Sequence, residues 1–372
     1  MTKRAIGILL LLAFSVTAVG VVTEKEVKYN YEILENQFLK LEFIPNSFGR
    51  LDQIYVKSAD KNLLLRRVLS KVSVDPLYEF YRNNTFGCGE NFWKNYVAKR
   101  DGKSQVLRQG THCITFKSKW YGALPIDVTR TVFLDSNGTF FTFEAEFFNK
   151  DSKKDFYLAP WYSFFPKDSN STFLIIPAAG GKNIHSLGNV KIFSKDHLAK
   201  NPLGLVAAIK NWTATVYPES QIILAMIIPK EEVLPNGAFY SWHGQYKKIP
   251  YRSMEGIFAG STLKSKAKRK VKCTFAVFLG LKDIKDVAGT TAIDAVIIDK
   301  KLSITLAAAK NLHAGKTTVN VVYEKFSKSY VVNIPEITPG KPYNFVLNLD
   351  GDKVKNVTGL LSDKSTFDLL GF

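Results

Sequence analysis

The chain has 372 residues, 51 Lys and Arg against 33 Asp and Glu, a net charge of +18, and 46% hydrophobic residues. It is too long for a disulfide-stapled miniprotein and too apolar for a disordered tail, and it has enough apolar residues to bury a sizeable core. Its 3 cysteines exclude a disulfide framework and a multi-cysteine zinc site.

Lys3 and Arg4 precede an uncharged stretch from Ala5 to Val22 centred on Ile8-Leu9-Leu10-Leu11-Leu12, with Ala18 and Gly20 spaced as a signal peptidase requires. This predicts a signal peptide over residues 1–22 and a secreted or extracytoplasmic protein, in the periplasm or at the cell surface. Retention as an N-terminal anchor is the alternative, since the stretch is close to the roughly 20 residues a bilayer span needs. No later stretch is long and apolar enough to span, so no further integral membrane segment is expected. A basic protein outside the cytoplasm meets anionic partners such as acidic polysaccharide, although solubility alone accounts for the charge equally well. Secretion argues against nucleic acid as a partner.

From there the chain reads as β almost throughout. Cys88 and Cys113 are candidates to pair across neighbouring strands. Val128 to Leu134, the turn Asn137-Gly138, and the alternation of Phe141, Phe143, Ala145 and Phe147 with Thr142, Glu144 and Glu146 predict a hairpin. Leu205 to Ile209 and Ile222 to Ile228 are continuous apolar runs, as in strands buried on both faces. Val271, Cys273, Phe275, Val277 and Leu279 alternate with Lys270, Lys272 and Thr274, predicting another strand with Cys273 as a buried free thiol. The basic run from Lys264 to Lys272 reads as a solvated hairpin, or as a surface for an anionic glycan or lipid. Asp283 to Ile298 is the best helix candidate, weakened by Gly289 and the two Thr that follow.

The composition changes near residue 285, and all 5 Trp precede it. Leu302–Leu306, Thr318–Tyr323, Tyr330–Ile334 and Tyr343–Leu349 follow as short strands, with turns at Pro339-Gly340 and Asp350-Gly351. The expectation is an all-β protein: a large antiparallel sandwich over 23–285, then a small Ig-like β-sandwich over 292–372.

Glu35-Asn36-Gln37-Phe38-Leu39-Lys40-Leu41-Glu42-Phe43-Ile44-Pro45, followed by Gly49-Arg50-Leu51, resembles the opening of galactose mutarotase-like proteins. Phe140 to Asn149, the strand Tyr157 to Phe165, and Arg252-Ser253-Met254-Glu255-Gly256-Ile257-Phe258 fit later segments of that superfamily in order. The resemblance covers roughly residues 30–283 and implies a β-supersandwich. It also implies a sugar site in which a Glu acts as general base and a His as general acid across the ring. Glu255 falls at the base position, but no His stands near Pro160-Trp161-Tyr162 or between Phe86 and Phe92, where the family carries its own. His243, in an aromatic and Gly-rich segment, is the one replacement within sequence reach.

Candidate ligand-binding residues are Arg82, Glu90, Asn91, Trp93, Trp161, Tyr162, Trp242 and Arg252. They supply aromatic faces for a sugar's C–H surface and polar groups for its hydroxyls. For Gly87 to Trp93 an ordinary β-turn is the bland alternative, and for Glu255 an ion pair with Arg252 or a Lys. No His-x-x-x-His helix motif, Cys-x-x-Cys, phosphate loop or nucleophile elbow occurs, so neither metal nor cofactor is implied. Three readings follow: a secreted carbohydrate-binding or cell-surface interaction protein without mutarotase activity; an epimerase, hydrolase or lyase using Glu255 with His243; and an envelope-assembly component.

Overall fold

The computed structural model describes residues 30–45, 49–65, 88–92, 104–119, 124–167, 169, 171–178, 188–193, 206–234, 237–241, 243–246, 249–351 and 353–369. The protein is all-β, and every strand pair is antiparallel.

Two nine-stranded sheets form the first sandwich. The first runs Glu32–Glu35, Leu39–Ile44, Arg50–Val56, Cys88–Phe92, Pro160–Phe164, Met254–Ile257, Ala238–Tyr240 and Val206–Ala207, with Lys61–Asn62 paired to the third of these. The second runs Gly188–Phe193, Phe173–Ala178, Trp212–Tyr217, Ile222–Ile227, Lys268–Leu279, Phe140–Asn149, Ile126–Leu134, Cys113–Lys119 and Ser104–Gly110. Their inner faces share one core, in which Phe43, Phe116, Phe141, Phe143, Tyr162, Phe164 and Phe275 meet. Phe141 stacks on Phe275 at 5.3 Å between centroids, and Phe143 meets the same ring edge-on at 5.7 Å.

The predicted hairpin is present as Ile126–Leu134 with Phe140–Asn149. The Leu205–Ile209 run contributes only the two-residue strand Val206–Ala207. The helix expected from Asp283 to Ile298 is instead a β-hairpin, Asp286–Ala288 with Thr291–Ile298. Gly289, at φ +58, makes its turn, and the β-branched run that follows suits a strand. Within the Gly87–Trp93 segment, Cys88–Phe92 is not a turn either but an interior strand of the first sheet. Cys88 and Cys113 therefore lie in different sheets, and Cys113 is a free thiol, as is the buried Cys273.

A second sandwich is made from Asp286–Ala288, Thr291–Ile298, Lys301–Ala308 and Tyr343–Asn348 in one sheet. Its other sheet holds Ser327–Ile334, Gly315–Tyr323, Val354–Leu360 and Thr366–Leu369. The two sheets enclose their own core around Ile304, Val319, Val321 and Phe367.

The strand Lys268–Leu279 records how the two sandwiches meet. Val271, Cys273, Phe275 and Val277 point into the first core. On the other face Lys270 and Lys272 are exposed, but Ala276 and Phe278 are buried beneath the second sandwich. Phe173, Ile175, Trp212, Val216 and Ile223 continue this apolar strip against Ile284, Val287, Ala292, Ala307 and Ala309. The continuous apolar run Ile222–Ile228 is thus explained, because its sheet is covered on both faces at that point.

Within the strip sits the carboxylate of Asp286. It accepts from Trp212 Nε1 at 2.8 Å and from the Asp368 N–H at 2.7 Å, and it pairs with Lys210 Nζ at 2.7 Å. Removing the carboxylate leaves the indole N–H and the Asp368 N–H without their acceptor, and leaves the Lys210 ammonium with the Asp368 carbonyl but no counter-charge. Asp286→Ala is expected to lower stability by about 3–5 kcal/mol in urea unfolding, the range for breaking a buried pair.

Candidate site on the outer face of the first sheet

Antiparallel register puts Glu255 between Ser163 of Pro160–Phe164 and Tyr240 of Ala238–Tyr240. Alternation sends Tyr162, Phe164, Phe239 and Met254 into the core, and turns Trp161, Ser163, Tyr240 and Glu255 to the outer face. Gly256 makes this placement possible. A Cβ there would lie 2.6 Å from both Met226 Sδ and Ile228 Cδ1 of the facing layer. A side chain at 256 would push the strand outward and carry Glu255 with it.

Glu255 is half-buried as a residue, while its carboxyl is enclosed by protein. Burial pushes its pKa up from 4.5 to about 7, against a hydrogen bond from Ser253 and the charge of Arg50, which both act to lower it. Burial, followed by the Glu255 charge, raises the Tyr240 hydroxyl. Trp161 Nε1 donates to Ser163 Oγ at 3.1 Å, which satisfies the indole N–H within the face and ties the ring to the position beside Glu255. Arg50 is itself buried and follows Gly49, whose φ of +62 and contact with Phe116 leave no room for a side chain.

The sequence-level candidates separate on this geometry. Glu255 and Trp161 share the outer face. Tyr162, expected at the ligand, is fully buried in the core against Phe143, Phe258 and Phe275, because it is one residue out of phase with Trp161. Arg252 is buried as well, and Arg50 is the cation whose charge acts on Glu255. His243 stands opposite Arg252, not Glu255; the residue in register with Glu255 is Tyr240. Asn91 and Glu90 are in register with Trp161 and Tyr162 respectively. Arg82, Trp93 and Trp242 lie outside the described residues.

Arg50, Ser163 and Ser253 were not among the candidates. Arg50 carried a signal, the Gly-Arg pair after the opening strand, but nothing local told that it would reach a strand two hundred residues away.

The basic run is largely neutralised. Lys264 pairs with Asp155 at 2.8 Å, Lys268 with Glu146 at 2.7 Å and Arg269 with Glu232 at 3.0 Å. Lys270 and Lys272 lie 3.8 and 3.9 Å from Glu146 and Glu144. Cross-strand register sets the pairs with Glu144 and Glu146, and neighbouring loop and helix residues supply Asp155 and Glu232, so the run is not the bare cationic surface its sequence suggests.

Known structures share this architecture. A protein from Escherichia coli K12 provisionally assigned as an aldose 1-epimerase superposes with a TM-score of 0.50 at 11% identity, over 68% of this chain and 100% of its own. A galactose mutarotase-like protein from Clostridium acetobutylicum superposes with a TM-score of 0.50 at 10% identity, over 69% of this chain and 98% of its own. The chain has the galactose mutarotase-like fold. No protein-family profile and no curated protein sequence matches it. At these identities the likeness establishes the fold, and the chemistry of the face rests on the residues above.

The raised carboxyl has a measurable consequence. With its native pKa above the unfolded value, Glu255 holds a proton at pH 5 in the fold and is forced to ionise in a desolvated site as pH rises to 7 and beyond. Its contribution to stability is therefore greatest at low pH and is lost as pH rises through about 7. Between pH 5 and pH 8 the stability of Glu255→Gln relative to the native protein is expected to rise by about 2.5 kcal/mol in paired urea titrations.

Proposed function

We propose that the protein is an extracytoplasmic carbohydrate-binding protein, with the outer face around Glu255 as its sugar site. The observation that carries this reading is the side-by-side placement of Trp161, Ser163, Glu255 and Tyr240 on one sheet face. An indole, oriented by the buried Ser163 hydroxyl, presents a flat apolar face to sugar C–H groups, while a phenol and a half-protonated carboxyl serve as both donors and acceptors for sugar hydroxyls. The basic N-terminal start and the apolar stretch from Ala5 to Val22 support export.

The same geometry supports binding without mutarotation. Anomer exchange needs an acid and a base on opposite sides of the sugar ring. Tyr240 and Glu255 are cross-strand neighbours, whose Cβ atoms are only about 5 Å apart, too close to straddle a pyranose. The near-neutral carboxyl of Glu255 favours one second reading, a glycan-active enzyme that uses it as general acid or base.

The protein should bind members of a glycan array. Trp161→Ala should weaken that binding roughly tenfold, while Glu255→Gln should retain much of it. Anomer exchange of galactose and glucose, followed by proton NMR, should proceed at its uncatalysed rate. Exchange that is accelerated by the protein and abolished in Glu255→Gln would establish the enzyme reading in its place. An array with no bound glycan would refute both.

A further inference from the structure

On the opposite side of the first sandwich, a pocket of about 560 Å³ lies between the Thr111-His112 turn and the loop Asp135–Thr139. Its floor is a cross-strand row on the outer face of the second sheet. Cys113 stands opposite Phe133, and Phe133 opposite Thr142. The next row along the same face is Arg108, Thr115, Thr131, Glu144 and Lys272, a solvated ladder whose outermost member, Arg108, reaches the pocket. Phe133 departs from that pattern, leaving a phenyl ring 41% exposed at a position where its neighbours are polar.

Arg108 lines the pocket beside this ring and has no carboxylate partner among the described residues. Asp135, the acid on the rim, accepts the Asn137 N–H at 3.0 Å and is held within its own loop. Ser136 and Thr111 add exposed hydroxyls. The pocket therefore offers one apolar ring face, hydroxyl partners and an uncommitted guanidinium, a fork suited to a carboxylate.

We propose that this pocket is a second saccharide site, separate from the Glu255 face, that takes a sugar ring bearing a carboxylate, with Phe133 against the ring's C–H face and Arg108 on the acid. The choice of a saccharide rests on the carbohydrate reading given above; the pocket and its charge do not. Two sites on opposite faces of one sandwich would let a single protein engage two chains, or two stretches of one chain, and so raise avidity without new contacts.

Cys113 supplies a readout that needs no activity. Its thiol is half-buried in the pocket floor, whereas Cys273 is sealed in the core and serves as an internal reference. The full-length protein is alkylated with iodoacetamide at pH 8.5, and the labelled peptides are followed by mass spectrometry. Labelling is run with an oligogalacturonate hexamer, cellohexaose, benzoate or no additive, and affinities are measured by calorimetry.

The hexamer should slow Cys113 labelling by roughly tenfold at saturation, and Phe133→Ala and Arg108→Gln should each weaken its binding at this site roughly tenfold. Trp161→Ala should leave Cys113 protection intact. Protection by benzoate without the hexamer would overturn the saccharide assignment. Equal protection by cellohexaose, unaffected by Arg108→Gln, would overturn the requirement for a carboxylate. Hexamer binding that is lost in Trp161→Ala, with Cys113 labelling never slowed, would overturn the second site and leave the Glu255 reading standing. A protein that binds no oligosaccharide by either readout would overturn both.

Discussion

Strands that are apolar on both faces must be covered on both faces, and this requirement organises the molecule. Trp212–Tyr217 and Ile222–Ile227 bury essentially every side chain. One face closes against the first sheet and the other against the second sandwich. The first sandwich without the second would leave Phe173, Ile175, Val216, Ile223 and Phe278 in water, a patch well beyond what a soluble surface carries. The two sandwiches are thus tied energetically, whatever their separate histories. Asp286 then sets their alignment, since Lys210 and Trp212 on one side and the Asp368 N–H on the other come from two segments far from it in the chain and meet its carboxylate only in one docking geometry.

Among the described residues, two surfaces of the first sandwich outside this covering differ in kind. The face around Glu255 combines a depth that desolvates a carboxyl with enough access for part of the residue to reach the surface. A carboxyl held near neutrality is unfavourable to stability at physiological pH, and such sites are where function concentrates. The part of the second sheet's outer face that the second sandwich does not cover carries a ladder of paired Lys and Glu with Thr between them, and its charges serve each other. Phe133 and Arg108 stand at the end of that ladder, where pairing stops.

Glycine marks a close contact at each end of the site. Gly49 gives way to Phe116 and precedes Arg50; Gly256 gives way to Met226 and Ile228 and follows Glu255. In each case the chain yields a side chain so that the layers can approach, and the neighbouring residue gains a fixed position on the outer face. A glycine beside an ionisable residue in a strand is a modest sequence signal, and here it occurs at both ends of the Arg50–Glu255 interaction.

Much of the fold was legible in the residues. The period-two alternation from Phe140 to Asn149 and from Lys268 to Cys273, and the Asn137-Gly138 turn, determine strand, hairpin and inward face locally, because side-chain direction in a strand depends only on parity. The opening motif and the Glu255 segment likewise pointed to the fold. Three things were decided by tertiary structure. Asp283–Ile298 became a hairpin because its apolar residues found two covering surfaces that a helix could not have faced together. Tyr162 went to the core and Trp161 to the surface, since one residue of register separates them and the sequence carries no label for which parity is inside when both are aromatic. Glu255 acquired Tyr240, Ser163 and Arg50 as neighbours, because strand pairing joins residues by register across long stretches of chain, and proximity in sequence says nothing about it.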